Sequence, residues 1–212
     1  MEGARIPQSQ ATEPTRGDRA LMGWTPADPG PLGLAGFAMT TFVLSMFNAK
    51  LVSSGGEPVV LGLALAYGGI AQLLAGMWEF RTGNTFGAVA FSSYGAFWIS
   101  FWALVVFYVP KIPAADAGHA IGLYLWAWGI FTTYMFVASL RTTGAVALVL
   151  FLLAITYILL AAGNSGNHVN VIKWGGYIGL ATAAAAWYAS FAAVMNSTFG
   201  RTVLPVVPLS KR

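Results

Sequence analysis

The sequence predicts an all-α integral membrane protein with six transmembrane helices per protomer. Of its 212 residues, 57% are hydrophobic and only 8% are charged, against roughly 25% charged residues in an ordinary soluble domain. A soluble fold of this size could not cover its surface with so few charges. Six stretches reach the length of about 20 mainly apolar residues that a spanning helix needs. They are Leu32–Val52, Val59–Phe80, Phe86–Val109, Ala117–Leu140, Ala145–Gly163 and Val171–Met195.

Short polar or helix-breaking segments separate the six spans and read as turns at the membrane faces. They lie at residues 53–58, 81–84, 110–113, 141–144 and 164–167. Residues 1–30 are predicted to be a disordered cytoplasmic tail, because they are polar and lack the apolar centre of a signal peptide. Residues 31–196 form the six-helix domain, and residues 197–212 form a cytoplasmic C-terminal tail that starts with an ordered turn. Three helices followed by three more permit a 3+3 inverted repeat.

The distribution of basic residues predicts the orientation in the membrane. An even number of spans places both termini on one side, together with eight basic residues, and leaves three on the other. Cytoplasmic loops carry the excess of Lys and Arg, so both termini should be cytoplasmic, in a cell (inner or plasma) membrane. The two sets are Arg5, Arg16, Arg19, Arg81, Arg141, Arg201, Lys211 and Arg212 against Lys50, Lys111 and Lys173.

Several classes of function are disfavoured by what the chain lacks. It has no cysteine, which excludes disulfides, thiolate metal sites and a cysteine nucleophile. His119 and His168 are the only histidines, and both fall at helix ends or in loops, which favours neither a metal site nor a hydrolase. No phosphate-binding glycine loop is present, and the basic residues form no nucleic-acid patch. We therefore expect neither an enzyme nor a bound cofactor, metal or nucleic acid.

The polar residues within the spans point to a path for a small solute. No charged residue is predicted near the middle of a span, which argues against a pump with a central carboxylate. Glu79 is expected at the inner end of the second span, in a surface ion pair with Arg81. Most of the Ser and Thr residues should bond to their own helix. Gln72 differs, because an amide cannot satisfy four hydrogen-bonding sites on its own helix and must meet another helix or water.

Small residues recur at a spacing that lets helix backbones approach closely. The pairs Gly118/Gly122 and Gly175/Gly179 have this spacing, and residues 181–186 are almost all alanine. Tight packing between helices is the favoured interpretation, and such faces also suit contacts between protomers.

A series of motifs resembles a known transporter family. Residues 28–34 (DPGPLGL) are similar to the signature Asn-Pro-Ala-Pro-Leu-Gly-Leu of the acetate uptake transporter family, which contains the succinate/acetate permeases. Asp28 stands where the family usually has Asn, and Gly30 stands where it has Ala. The resemblance extends from about Asp28 to Pro205 through residues 67–72 (YGGIAQ), 83–87 (GNTFG), 91–98 (FSSYGAFW) and 199–205 (FGRTVLP).

The resemblance implies a function and a set of site residues. Family members assemble as hexamers, with one path in each protomer, and carry acetate and in some cases succinate or other short carboxylates. By motif match, their hydrophobic constriction would be formed here by Phe37, Tyr94 and Leu153. The partners expected are therefore a short mono- or dicarboxylate, the lipid bilayer and further copies in a homo-hexamer. The expected lining residues are Thr40, Thr41, Asn48, Gln72, Asn84, Thr85, Ser92, Ser93 and Thr132.

The predicted depth of these residues agrees with that assignment. Counted from the inner starts of their helices, with the first helix starting at Pro29, Phe37, Tyr94 and Leu153 each lie eight or nine residues in, which is roughly 12–14 Å into a core about 30 Å thick. Gln72, Thr132 and Trp187 on the other three spans share this layer. Without the resemblance, ordinary bundle-core residues would be the favoured interpretation.

The expected mechanism relies on donors other than cationic side chains. The first and third helices start on the inner side, where their free N–H groups could face an incoming anion. Two alternatives remain at this point: a channel for a neutral solute such as urea or ammonia, and a membrane sensor or scaffold that transports nothing.

Overall fold

A computed structural model describes residues 26–210, and residues 1–25 of the predicted N-terminal tail lie outside this range. Within it, six helices are long and apolar enough to cross a membrane by length and composition, as predicted. They are α1 (Gly30–Asn48), α2 (Ser54–Thr82), α3 (Thr85–Lys111), α4 (Ala114–Ser139), α5 (Gly144–Ser165) and α6 (Val169–Phe199).

Local chemistry at the helix ends accounts for several of their bounds. The Asn84 side chain accepts a hydrogen bond from the Gly87 N–H (3.1 Å) and caps α3, and Thr143 caps α5 in the same way. Gly83 and Gly200 end α2 and α6 with positive φ angles of 79° and 63°, a conformation that glycine adopts without strain. Helix α6 consequently runs to Phe199, beyond the predicted span end at Met195.

We name the two ends of the bundle by the chain termini. The terminal face holds the start of α1, the α2–α3 and α4–α5 turns and the end of α6. The distal face holds the other three ends. The segment after α6 returns along the terminal face to the start of α5, where the Val207 carbonyl accepts a hydrogen bond from the Gly144 N–H (2.7 Å). Residues 200–210 are therefore tied to the bundle.

The helices form a ring in which α1 packs against α6 and α2, α5 packs against α6 and α4, and α2 packs against α3. Glycines permit the closest approaches, since a Cβ at Gly176 would collide with the backbone of Ala49 and one at Gly179 would collide with Ser45. Gly118 and Gly122 face the end of α5 in the same manner. These glycines are thus used for packing inside the protomer.

The α3–α4 side of the ring is closed by aromatic side chains. The Phe97 ring packs edge-on against Trp128 at 5.1 Å, and the Tyr94 ring packs edge-on against Phe131 at 5.3 Å between centroids. These large side chains hold the backbones of α3 and α4 apart.

Candidate functional site

Two cavities enter the bundle from opposite faces and meet at the same two residues. The distal cavity has a volume of about 280 Å³ and reaches the distal face at Asn48, Glu57 and Asn164. The terminal cavity has a volume of about 430 Å³ and reaches the terminal face at Asp28 and Asn84. Phe37 and Leu153 line both cavities. The apolar layer between the cavities is therefore where the sequence predicts the constriction.

The third predicted constriction residue, Tyr94, lies beside this layer on the terminal side. Its ring centroid is 5.9 Å from that of Phe37, and it lines the terminal cavity only. Its hydroxyl donates to the Thr132 Oγ1 atom at 3.0 Å. Phe37, Tyr94 and Leu153 expose 4%, 3% and 4% of their surfaces. The three side chains are thus brought together, with the tyrosine hydroxyl bonded to α4.

Gln72 lines the terminal cavity directly after an irregular turn of α2. Residues Ala66–Ala71 form a π-helix, a distortion that is frequent at functional sites because it reorients the side chains that follow. Gln72 is 1% exposed, and its Oε1 atom has no hydrogen-bond partner among the described residues. A buried amide oxygen without a partner is costly, so a donor placed beside this atom would be stabilised.

The distal cavity contains a different pair of unpartnered groups. The Thr41 hydroxyl and the Trp98 Nε1 atom are both buried without a partner in the described part of the chain, and both residues line this cavity. An indole nitrogen can only donate, so the wall of this cavity contains a donor that lacks an acceptor. Sequence reasoning did not identify Trp98, although it lies four residues after Tyr94 on the same helix.

Other predicted lining residues divide between the cavities and the helix contacts. Asn48 lines the distal cavity and Asn84 the terminal one. Thr40 donates to the Gly36 carbonyl (2.8 Å), and the Ser92 hydroxyl packs against Gly76 between α2 and α3. The predicted residues that line neither cavity are Thr40, Thr85, Ser92, Ser93 and Thr132.

The predicted surface position of Glu79 is wrong. The residue is 3% exposed and lines the terminal cavity together with Asp28. Glu79 lies seven residues after Gln72, a spacing of two helical turns that places both on one face. That spacing is the signal that could have identified it.

The cavities carry negative side chains and few free backbone donors. Glu57 is the one charged residue lining the distal cavity, and Asp28 and Glu79 are the charged residues lining the terminal cavity within residues 26–210. The Gly30 N–H at the start of α1 donates to Asp28 Oδ1 (2.8 Å), and the Gly87 N–H donates to Asn84. These two N–H groups, expected to face an incoming anion, are therefore already occupied.

Comparison with known proteins gives consistent matches along almost the whole chain. Residues 17–211 match the model of the GPR1/FUN34/yaaH family. The chain is 42% identical to the succinate-acetate/proton symporter SatP of Escherichia coli K12 over 182 residues, which are 85% of this chain and 95% of that protein. It is also 42% identical over 195 residues to acetate permease A of Emericella nidulans, covering 85% of this chain and 65% of that one.

Two further matches concern function and fold. Ammonia transport outward protein 2 of Saccharomyces cerevisiae is 43% identical over 176 residues, covering 79% of this chain and 61% of that protein. A solved structure described as the bacterial acetate channel SatP superimposes with a TM-score of 0.79 at 41% identity, covering 86% of this chain and 99% of that one. The six-helix architecture is therefore shared with a protein of known structure.

Proposed function

The chain belongs to the GPR1/FUN34/yaaH family, and from this premise we propose that it transports acetate and other short carboxylates such as succinate across a cell membrane. It acts as a transporter rather than as an enzyme. The observation that carries this proposal is the pair of cavities that meet at Phe37 and Leu153. Its relatives SatP and acetate permease A are named for the same class of solute.

The chemistry of the proposed path suits a small molecule with one polar end and one apolar end. Desolvating a full charge is expensive, so the apolar layer at Phe37 and Leu153 slows hydrated ions. A methyl group can pass this layer, while Trp98 and Thr41 on one side and Gln72 on the other replace hydration at the carboxyl end. Acetate meets these requirements with the smallest apolar part.

Flux of labelled acetate into proteoliposomes tests the proposal, with protein-free vesicles of the same lipid as the control. We expect saturable uptake that unlabelled acetate inhibits. Flux equal to that of protein-free vesicles would exclude transport and favour a sensor or scaffold. A Leu153→Trp variant provides a matched control, because filling the constriction should abolish the protein-dependent flux.

A neutral solute such as ammonia or urea is a second candidate. It is favoured by the absence of Lys and Arg among the described residues that line the two cavities. One relative is named as an ammonia transport protein. Competition with propionate separates the candidates. In a carboxylate transporter, propionate should inhibit the flux of labelled acetate. In a channel for neutral solutes, propionate should leave the flux of labelled urea or ammonia unchanged.

We further propose a homo-hexamer with both termini in the cytoplasm. The family resemblance supports the hexamer. The glycine pairs do not add to this support, because they are used for packing within the protomer. Mass measurement in detergent tests it, and a stable monomer with full flux would contradict it. The chain contains no cysteine, so orientation can be measured by labelling a single introduced cysteine at Ser54 or Arg201 with an impermeant maleimide.

A further inference from the structure

Two carboxylates flank one point at the mouth of the terminal cavity. A Cβ placed on Gly30 would lie 3.0 Å from Asp28 Oδ1 and 3.6 Å from Glu79 Oε1. Both residues line the cavity, but Asp28 is exposed whereas Glu79 is 3% exposed. The bulk solution therefore reaches Asp28 first and reaches Glu79 through the cavity.

The buried carboxylate of Glu79 is held by groups that orient it without neutralising it. Thr82 Oγ1 donates to Glu79 Oε2 at 3.0 Å, and the Asn84 N–H donates to the Glu79 main-chain carbonyl at 3.1 Å. A Cβ on Gly87 would lie 2.6 Å from the Glu79 Oε1 atom. Helix α3 can therefore approach the Glu79 carboxyl group closely only because residue 87 has no side chain. These partners are uncharged and fix the position of the carboxyl group.

The charged groups around Glu79 are few. Asp28 faces it from the segment before α1. The α3 residues against it, Asn84 and Gly87, cannot titrate, and neither can the α5 and α6 residues that line this cavity, such as Thr142 and Asn196. The basic residues of the terminal face, Arg81, Arg141 and Arg201, are exposed and do not line the cavity.

Gln72 provides a second, independent observation deeper in the same cavity. Its unpartnered Oε1 atom is an acceptor and therefore requires a donor. A carboxylate anion has no hydrogen to donate, whereas a protonated carboxylic acid has one O–H group. The unpartnered atom thus fits the neutral acid rather than the anion.

On the basis of the proposed function, we infer that Glu79, with Asp28 beside it, is the proton-exchange site of the terminal cavity for a short carboxylic acid. A carboxylate that enters from the terminal face takes the proton of the Glu79 carboxyl, forming one O–H bond as the other breaks. The products are the neutral acid and the Glu79 carboxylate. The acid donates its O–H to Gln72 Oε1 and crosses the layer at Phe37 and Leu153.

Water at the mouth then returns a proton to Glu79, and transport in the other direction reverses these steps. The transfer joins two carboxyl groups, so a carboxylic acid lies beside a carboxylate both before and after it. The negative charge of Asp28 favours the protonated form of Glu79. This pairing is specific to a chain that carries Asp rather than Asn at residue 28.

The test measures protein-dependent flux of labelled acetate in proteoliposomes between about pH 5 and about pH 8, a range over which a carboxylic acid in bulk water loses almost all of its neutral form. The Glu79→Gln variant keeps the size of the side chain and an acceptor for Thr82 but cannot carry a proton. We expect its flux to match wild type near pH 5 and to fall at least tenfold below it near pH 8. Glu79→Asp should recover most of the flux.

Two other variants sharpen the test. Asp28→Asn should shift the pH profile towards lower pH, because it removes the charge that favours protonation of Glu79. Asp116→Asn changes an exposed carboxylate on α4 and should leave the profile unchanged. A wild-type profile in Glu79→Gln, or an equal loss of its flux at every pH, would overturn the inference. If wild type itself shows no flux above protein-free vesicles, it is the proposed function that fails.

Discussion

The distal and terminal cavities share Phe37 and Leu153 but present opposite chemistry to a solute. The distal cavity contains a buried indole N–H and a hydroxyl without partners, whereas the terminal cavity contains an unpartnered amide oxygen and two carboxylates. The unpartnered atoms therefore include donors on the distal side and an acceptor on the terminal side, although Glu57 adds a carboxylate to the distal cavity as well. The difference teaches that a path for a carboxylate can be built without cationic side chains, if the two ends of the path favour different protonation states.

The largest expected effect comes from removing the boundary between the cavities. Leu153→Ala should relax size discrimination between acetate and succinate by at least about tenfold, since even one missing methylene in an apolar site changes selectivity by about that factor. Its thermal stability should fall by less than the ~2–5 kcal/mol typical of a packed core leucine, because Leu153 borders open space on both sides. Relative fluxes and thermal unfolding check both points.

Met135→Ala is the matched control for Leu153→Ala. Met135 is 4% exposed, like Leu153, but it lines neither cavity. We expect it to lose stability by about 2–5 kcal/mol with no change in substrate size. If Leu153→Ala behaves in the same way as Met135→Ala, Leu153 is a core residue and the two cavities are not parts of one path.

The next effect concerns the acceptor of the terminal cavity. Gln72→Leu removes the amide while keeping similar bulk, and the loss of one strong hydrogen bond should weaken acetate affinity by about tenfold. Concentration dependence of labelled acetate flux measures this change. Ser92→Ala is the control, because the Ser92 hydroxyl is also buried without a partner but lies outside both cavities. Equal effects of the two substitutions would count against a role for Gln72 in binding.

A smaller effect is expected for the donor of the distal cavity. Trp98→Phe keeps an aromatic ring but removes Nε1–H, and a neutral hydrogen bond is worth about 1 kcal/mol, so acetate affinity should fall by about threefold to tenfold. Trp102→Phe removes an indole N–H on the same helix outside the two cavities and should have no such effect. An unchanged acetate affinity in Trp98→Phe would show that the indole N–H of the distal cavity does not bind the solute.

The smallest effect on transport is expected for Tyr94→Phe. The Tyr94 hydroxyl already donates to Thr132, so its removal should cost about 1 kcal/mol of stability and leave both affinity and size selection near wild type. Thermal unfolding together with acetate flux checks this. A marked loss of affinity would show that the hydroxyl faces the substrate and that the terminal cavity has a donor as well.

The spans followed from the sequence more directly than the side chains that line the cavities. Composition and hydropathy predicted six helices, because a bilayer imposes one length on every apolar segment. The motif matches selected Phe37, Tyr94 and Leu153, which lie together in the structure. By contrast, Thr40 and Ser92 were expected to line the path and instead lie in helix contacts, since residues at the same depth can face either direction.

What the sequence by itself determined is thus the number of spans and the family, both of which depend on composition and on local motifs. Only the tertiary structure decided which polar atoms lack partners. Gln72 and Glu79 face a cavity because a π-helix precedes Gln72, and because Gly30 and Gly87 leave room beside Glu79. Whether a buried polar atom is satisfied depends on neighbours that are distant in the chain, and no local pattern specifies those neighbours.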